Sequence, residues 1–228
     1  MKTKSRCSIW AGALVLAIVM AVSVGYAAPP ETPLPNQNAY QRDLPFWLDT
    51  YWNWYYAGAD PASGVVDGYL MMPLPNGEVI SGSGAPEDPA LIRGQLEITV
   101  APGTPFVLPI FALIGERYDG YPEEPDDQMF PEAFLLGGVQ PLLTIDGQTI
   151  ISDANKGEFY ASGYFDPIIP YETPTGSGAV GAVYFQSGGI VSPPLKPGVH
   201  VIHLYEPYIL PGYWGVIYDN TWIVTVEK

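Results

Sequence analysis

The side chains best suited to chemistry lie in an acidic stretch between positions 116 and 132. Hard oxygen ligands on a loop suit Ca²⁺, which extracellular modules bind at about 0.1 to 1 mM. Calcium is therefore the only cofactor that the sequence suggests. The spacing differs from that of an EF-hand loop, so we favour a solvated acidic loop over a calcium site. The candidate metal ligands are Glu116, Asp119, Glu123, Glu124, Asp126 and Asp127, with Glu132 completing the stretch.

Paired carboxylates also form the acid and nucleophile of a glycosidase, which lie about 5 to 10 Å apart across a cleft. With 24 carboxylates in the chain, residue type alone singles out no pair, and no catalytic residue is assigned. A G-x-S-x-G elbow is absent from the sequence, and no G-x-x-x-x-G-K or G-x-G-x-x-G element precedes a predicted helix. His200 and His203 are three residues apart in a predicted strand, which places them on opposite faces and prevents a shared metal site unless a bulge intervenes. We favour ordinary strand histidines over the base of a Ser/His/Asp triad.

A strongly aromatic segment, LPFWLDTYWNWYY, runs from Leu44 to Tyr56. Asp43 precedes it as a candidate N-cap, Pro45 suits a first turn, and Gly58 follows its end, so the segment is predicted to form one helix. Its candidate ligand-binding residues are Trp47, Trp52 and Trp54, which form a platform on which sugars can stack. Large aromatic side chains serve mainly for burial, so we favour a helix packed against a sheet.

The elements that must position these groups are predicted to be strands. After Pro61 the chain consists of short β-branched and aromatic runs separated by Gly and Pro. Asn76-Gly77 and Asp146-Gly147 each separate two such runs and predict type I′ hairpins, the first joining 69–75 to 78–81. The predicted fold class is all-β: an antiparallel β-sandwich or jelly roll with one N-terminal aromatic helix.

The N-terminal segment is typical of a secretory signal. Lys2, Lys4 and Arg6 precede an apolar run, which ends at the small residues around Ala27. The alternative is an uncleaved anchor, because the run is nearly long enough to cross a bilayer. We expect a signal peptide at 1–27, and hence a secreted or periplasmic protein without stable membrane insertion after cleavage.

The rest of the chain is predicted to comprise a flexible leader at 28–42 and a single β-sandwich domain at 43–228. The only cysteine precedes this region, so no disulfide forms in it. The formal charge of −15 becomes −18 once the three basic residues of the signal are removed. Such a charge repels nucleic acid and anionic membranes, attracts cations, and is explained most simply by solubility outside the cell. A glycan or envelope component is the partner class that the sequence suggests.

Several segments in a fixed order resemble a family of exported bacterial proteins without an assigned activity. The order comprises Trp47, Trp52 and Trp54 as W-x-x-x-x-W-x-W, GQLEITVAPGTPFVLPI at 94–110, Asp146-Gly147, PLKPGVHVIHLYE at 194–206 and NTWIVTV at 220–226. The resemblance implies one all-β domain with an N-terminal aromatic helix and supplies no catalytic residues. The last two segments are also similar to the final hairpin of bacterial immunoglobulin-like domains.

These observations together predict a secreted, soluble β-sandwich protein with a binding or structural role, directed at surface glycans or calcium. The alternative is a secreted glycoside hydrolase that uses paired carboxylates. A groove lined by Trp or Tyr with paired acids at its base favours the hydrolase, and a closed sandwich favours the binding protein.

Overall fold

The computed structural model describes residues 40–41, 43–56, 64–120 and 125–228. The predicted signal peptide, most of the predicted leader, and Glu123 and Glu124 of the acidic stretch lie outside this part of the chain. Within the described part, no helix is long and apolar enough to cross a membrane.

Two β-sheets dominate the described structure. The five-stranded sheet has the order β1 (Val65–Val66), β2 (Tyr69–Met71), β5 (Phe106–Tyr118), β9 (Ala179–Ser192) and β8 (Tyr160–Pro170). The six-stranded sheet has the order β3 (Glu78–Ser81), β4 (Ala90–Val100), β11 (Trp214–Val226), β10 (Gly198–Leu210), β6 (Leu142–Ile145) and β7 (Gln148–Ile151). The helices are α1 (Leu44–Tyr56), α2 (Glu132–Gly138) and a 3-10 turn, Lys156–Phe159.

The all-β, sandwich-like fold is confirmed, although both sheets are mixed rather than purely antiparallel. The strand pairs β4–β11 and β2–β5 are parallel. The inner faces of the two sheets share one apolar core, in which Leu108 and Ile190 of one sheet join Ile202 and Trp222 of the other. Alternation of side chains along each strand produces this core, since every second residue of a strand points to the same face.

Helix α1 has the bounds predicted from the sequence and covers the outer face of the five-stranded sheet. Its buried Leu48 and Tyr51 share a second apolar cluster with Val107 of β5 and with Phe185 and Val191 of β9. Tyr40 and Gln41, which the sequence assigned to the end of the flexible leader, contact the folded domain. Tyr40 is 1% exposed within the core between the sheets, and the Gln41 amide donates to Glu158 at 3.1 Å.

The predicted hairpin around Asn76-Gly77 is wrong, because β2 and β3 belong to different sheets. Residues 72–77 instead cross from one sheet to the other. The Tyr51 hydroxyl donates to the Met72 carbonyl at 2.9 Å, and the Trp222 indole N–H donates to the Pro73 carbonyl at 2.8 Å. By contrast, the β6–β7 hairpin is confirmed, with positive φ at Asp146 (52°) and Gly147 (78°) as a type I′ turn requires.

Candidate functional site

The tryptophans predicted to bind ligand are largely packed into the protein. Trp47 and Trp52 are 7% and 5% exposed, and the Trp47 ring lies 4.0 Å, centroid to centroid, from that of Tyr69. Little of either ring is available for stacking on a sugar, which supports the packing interpretation of the aromatic helix. Trp54 is half-buried at the edge of the same cluster. A ligand-binding role for these rings stays a prediction.

The acidic stretch is held by contacts within the protein. Arg117 donates to both carboxylate oxygens of Asp126, with Nη2 2.8 Å from Oδ2 and Nε 3.0 Å from Oδ1. Asp127 accepts from the Glu116 backbone N–H at 3.1 Å and from the Tyr118 hydroxyl at 3.3 Å. Each aspartate therefore already has a structural role at the end of β5.

The two regions singled out by the sequence meet at Glu116. The Tyr171 hydroxyl donates to Glu116 Oε1 at 3.3 Å, and the Tyr171 ring contacts that of Tyr56, the last residue of α1, at 5.5 Å. Burial raises the pKa of Glu116, and burial likewise raises the pKa of Asp127. These contacts tie the aromatic helix to the acidic stretch.

The calcium interpretation of the acidic stretch stays a prediction. Among the residues that the structure describes, no group of three or more His, Cys, Asp or Glu side chains is arranged to hold a metal ion. Two of the six candidate ligands, Glu123 and Glu124, fall outside that part of the chain.

A shallow, open cleft that sequence reasoning missed lies on the outer face of the six-stranded sheet. Its volume is about 390 Å³. Its lining combines amide, carboxylate, guanidinium and hydroxyl groups with one apolar side chain and one glycine. The lining residues are Asn76, Glu78, Ile80, Arg93, Gly94, Gln95, Asp219 and Thr221.

Strand register brings these residues together. Arg93 of β4 lies beside Glu78 of β3 and beside Asp219 of β11, and Gln95 lies beside Thr221 two positions along. The alternation of β4 points Arg93 and Gln95 away from the core, while the intervening Gly94 is buried. A side chain at position 94 would meet Pro75 and Asn220 on the inner face.

Asp219 forms the charged centre of this face. Its Oδ1 lies 2.9 Å from His203 Nε2, and its Oδ2 accepts from Arg93 Nε at 2.8 Å. The hydrogen bond from His203, followed by that from Arg93, lowers the pKa of Asp219 below its usual value. Asp219 is therefore a fixed carboxylate whose charge is balanced locally.

Sequence spacing carried only a weak signal for this cleft. The lining extends from Asn76 to Thr221, and its central contact is the parallel pairing of β4 with β11. The available signal was alternation, since Arg93, Gln95, Glu97 and Thr99 are polar at every second position of β4. Comparison of the chain with family models, with curated proteins and with solved structures found no match.

Proposed function

We propose that this protein binds neutral glycans in the cleft on the outer face of the six-stranded sheet. The observation that supports this proposal is that the cleft is lined by both hydrogen-bond donors and hydrogen-bond acceptors. A sugar hydroxyl both donates and accepts, so it pairs with the amides of Asn76 and Gln95, the Thr221 hydroxyl and the Glu78 carboxylate alike. The chain then acts at the cell envelope or outside the cell, in keeping with its predicted signal peptide.

The charges of the cleft disfavour an anionic ligand. The Arg93 guanidinium faces Asp219, so no unbalanced positive charge is offered to a phosphate, sulfate or uronate group. The formal charge of −15 further repels anions. A neutral polyhydroxylated ligand needs no unbalanced positive charge in the cleft and is not repelled by the negative net charge.

The same geometry favours binding over hydrolysis. A glycosidase acid needs a raised pKa to hold its proton at neutral pH, whereas the pKa of Asp219 is lowered by His203 and Arg93. The described carboxyl groups with a raised pKa lie away from the cleft: Glu116 and Asp127 at or near the end of β5, Asp49 on α1, and Glu206 buried on the inner face of the six-stranded sheet. The cleft therefore supports recognition of a glycan without cleavage.

The test is an array of neutral glucans, xylans, mannans and galactans, followed by calorimetry on the glycans retained. Thr221→Val and Gln95→Ala each remove one hydrogen-bonding group from the cleft, and we expect affinity to fall about 3- to 10-fold. The matched control is Thr225→Val, on the same strand and face but outside the cleft. Equal losses in Thr221→Val and Thr225→Val, or no retention by wild type, would contradict the proposal.

A further inference from the structure

The outer face of the six-stranded sheet continues beyond the cleft in one row of side chains. Register aligns Glu78 of β3, Arg93 of β4, Asp219 of β11, Tyr205 of β10 and Leu142 of β6 across five strands. The ion pair between Arg93 and Asp219 confirms that their side chains share this face. The cleft occupies the part of the row from β3 to β11.

Tyr205 projects from the same face. His203 Nε2 contacts Asp219 on the outer side, and Tyr205 lies two residues further along β10, which returns a side chain to that side. Leu142 lies directly beside Tyr205 on β6. Tyr205 and Leu142 are 41% and 40% exposed, so an aromatic and an aliphatic group stand open to solvent next to the charged centre.

The row therefore changes character along its length, from hydrogen-bonding groups in the cleft to apolar groups on β10 and β6. A pyranose ring carries hydroxyls on its rim and C–H groups on its faces, and an aromatic ring packs well against such an apolar face. The three strand intervals from Arg93 to Leu142 span roughly 14 Å, which exceeds the reach of one sugar ring.

We propose that the ligand is a chain of at least two neutral sugar units lying across the strands, with one unit in the cleft and the next stacked on Tyr205. This inference rests on the proposed glycan-binding function and specifies its ligand class. A second row supports the path of the chain, because Thr221, His203 and Thr144 are aligned beside it and offer further polar groups.

The experiment is calorimetry with gluco-, xylo- and manno-oligosaccharides of one to six units. Wild-type affinity is expected to rise with length until the Tyr205 position is covered. Tyr205→Ala should lose about 5- to 10-fold in affinity for the longer ligands and leave the monosaccharide unaffected. Tyr205→Phe keeps the ring and should retain wild-type affinity. The matched control is Tyr164→Ala, an exposed tyrosine of β8 in the other sheet.

The outcomes separate the two proposals. Binding that depends on Thr221 but shows no length dependence, or that Tyr205→Ala leaves unchanged at every length, would overturn the extended site alone. Lack of binding by wild type to every series would overturn the proposed function as well. A loss in Tyr205→Ala that is equal for all lengths would place the ring inside the first subsite and also contradict the extension.

Discussion

Two carboxylates at adjacent register positions of the β10–β11 pair have opposite environments. Asp219 lies opposite Tyr205 and faces outward, whereas Glu206 lies opposite Tyr218 and faces the core. Both oxygens of Asp219 are hydrogen-bonded, but neither oxygen of Glu206, which is 0% exposed, has a hydrogen-bond partner.

The ionisation of the two groups diverges accordingly. Burial raises the pKa of Glu206 well above its usual value, and bonds from His203 and Arg93 lower that of Asp219. Burial also raises the pKa of the neighbouring Tyr218 to about 12. The contrast shows that one strand pair presents a hydrogen-bonded carboxylate on its outer face, while burial on its inner face disfavours the ionisation of a second carboxyl group.

The largest expected effect is on the pH dependence of stability, through Glu206. The unfolded chain ionises this group at a lower pH than the folded protein does, so its contribution is fully present below the unfolded pKa and is lost as pH rises towards the folded pKa. The free energy of unfolding then falls by about 1.4 kcal/mol per pH unit over that interval. Glu206→Gln should remove this slope, as measured by urea unfolding between pH 4 and 9.

The control for this experiment is Glu97→Gln, which changes an exposed carboxylate of β4 in the same sheet. Its stability curve should run parallel to that of wild type. If the free energy of unfolding of Glu206→Gln also changed with pH in parallel with that of wild type, the buried carboxyl would not be the cause of the loss of stability at high pH.

A smaller effect is expected from two buried tryptophans, of which one has a hydrogen-bond partner for its indole N–H and the other has none. Trp222 donates its indole N–H to Pro73, whereas the buried indole N–H of Trp52 has no hydrogen-bond partner. Replacing either tryptophan with Phe removes packing contacts. Only Trp222→Phe also breaks a hydrogen bond, and it leaves the Pro73 carbonyl without that donor. We expect it to cost about 1 to 3 kcal/mol more than Trp52→Phe in urea unfolding. Equal costs would show that pairing of the indole N–H matters little in this core.

The smallest effect concerns Asp219 and Arg93. Arg93 is 58% exposed, so the coupling energy from a double-mutant cycle of Asp219→Asn and Arg93→Met should be below about 1 kcal/mol at pH 7. Because the pKa of Asp219 is lowered, its stabilising contribution is present above the unfolded pKa and is lost as pH falls through the folded pKa. The coupling should therefore vanish in strong acid, and a value independent of pH would contradict the ionic origin.

Local features of the fold were predictable from sequence. Helix α1 has the predicted bounds, and Pro45 lies in its first turn, where its fixed φ and missing N–H are tolerated. The β6–β7 hairpin formed because Asp146-Gly147 accepts two positive φ angles. Both signals act over a few residues, so they are independent of where the element packs.

Long-range pairing was not predictable. Asn76-Gly77 has the composition of a hairpin turn, yet the strand before it pairs with β5 and the strand after it pairs with β4. The parallel contact of β4 with β11 aligns Arg93 with Asp219 and creates the cleft. Alternation revealed which side chains point outward but carried no information on which strand lies alongside, so the candidate site was invisible until the register was known.

The position of β11 in the six-stranded sheet has a consequence for folding kinetics. This strand lies between β4 and β10, so β3 and β4 have no connection to the rest of their sheet until residues 214–226 have been incorporated. Pairing over such sequence distances requires loop closure before contacts form, which slows folding. As long as β11 is unpaired, the edge of β4 that it covers in the folded protein stays open to pairing with other chains.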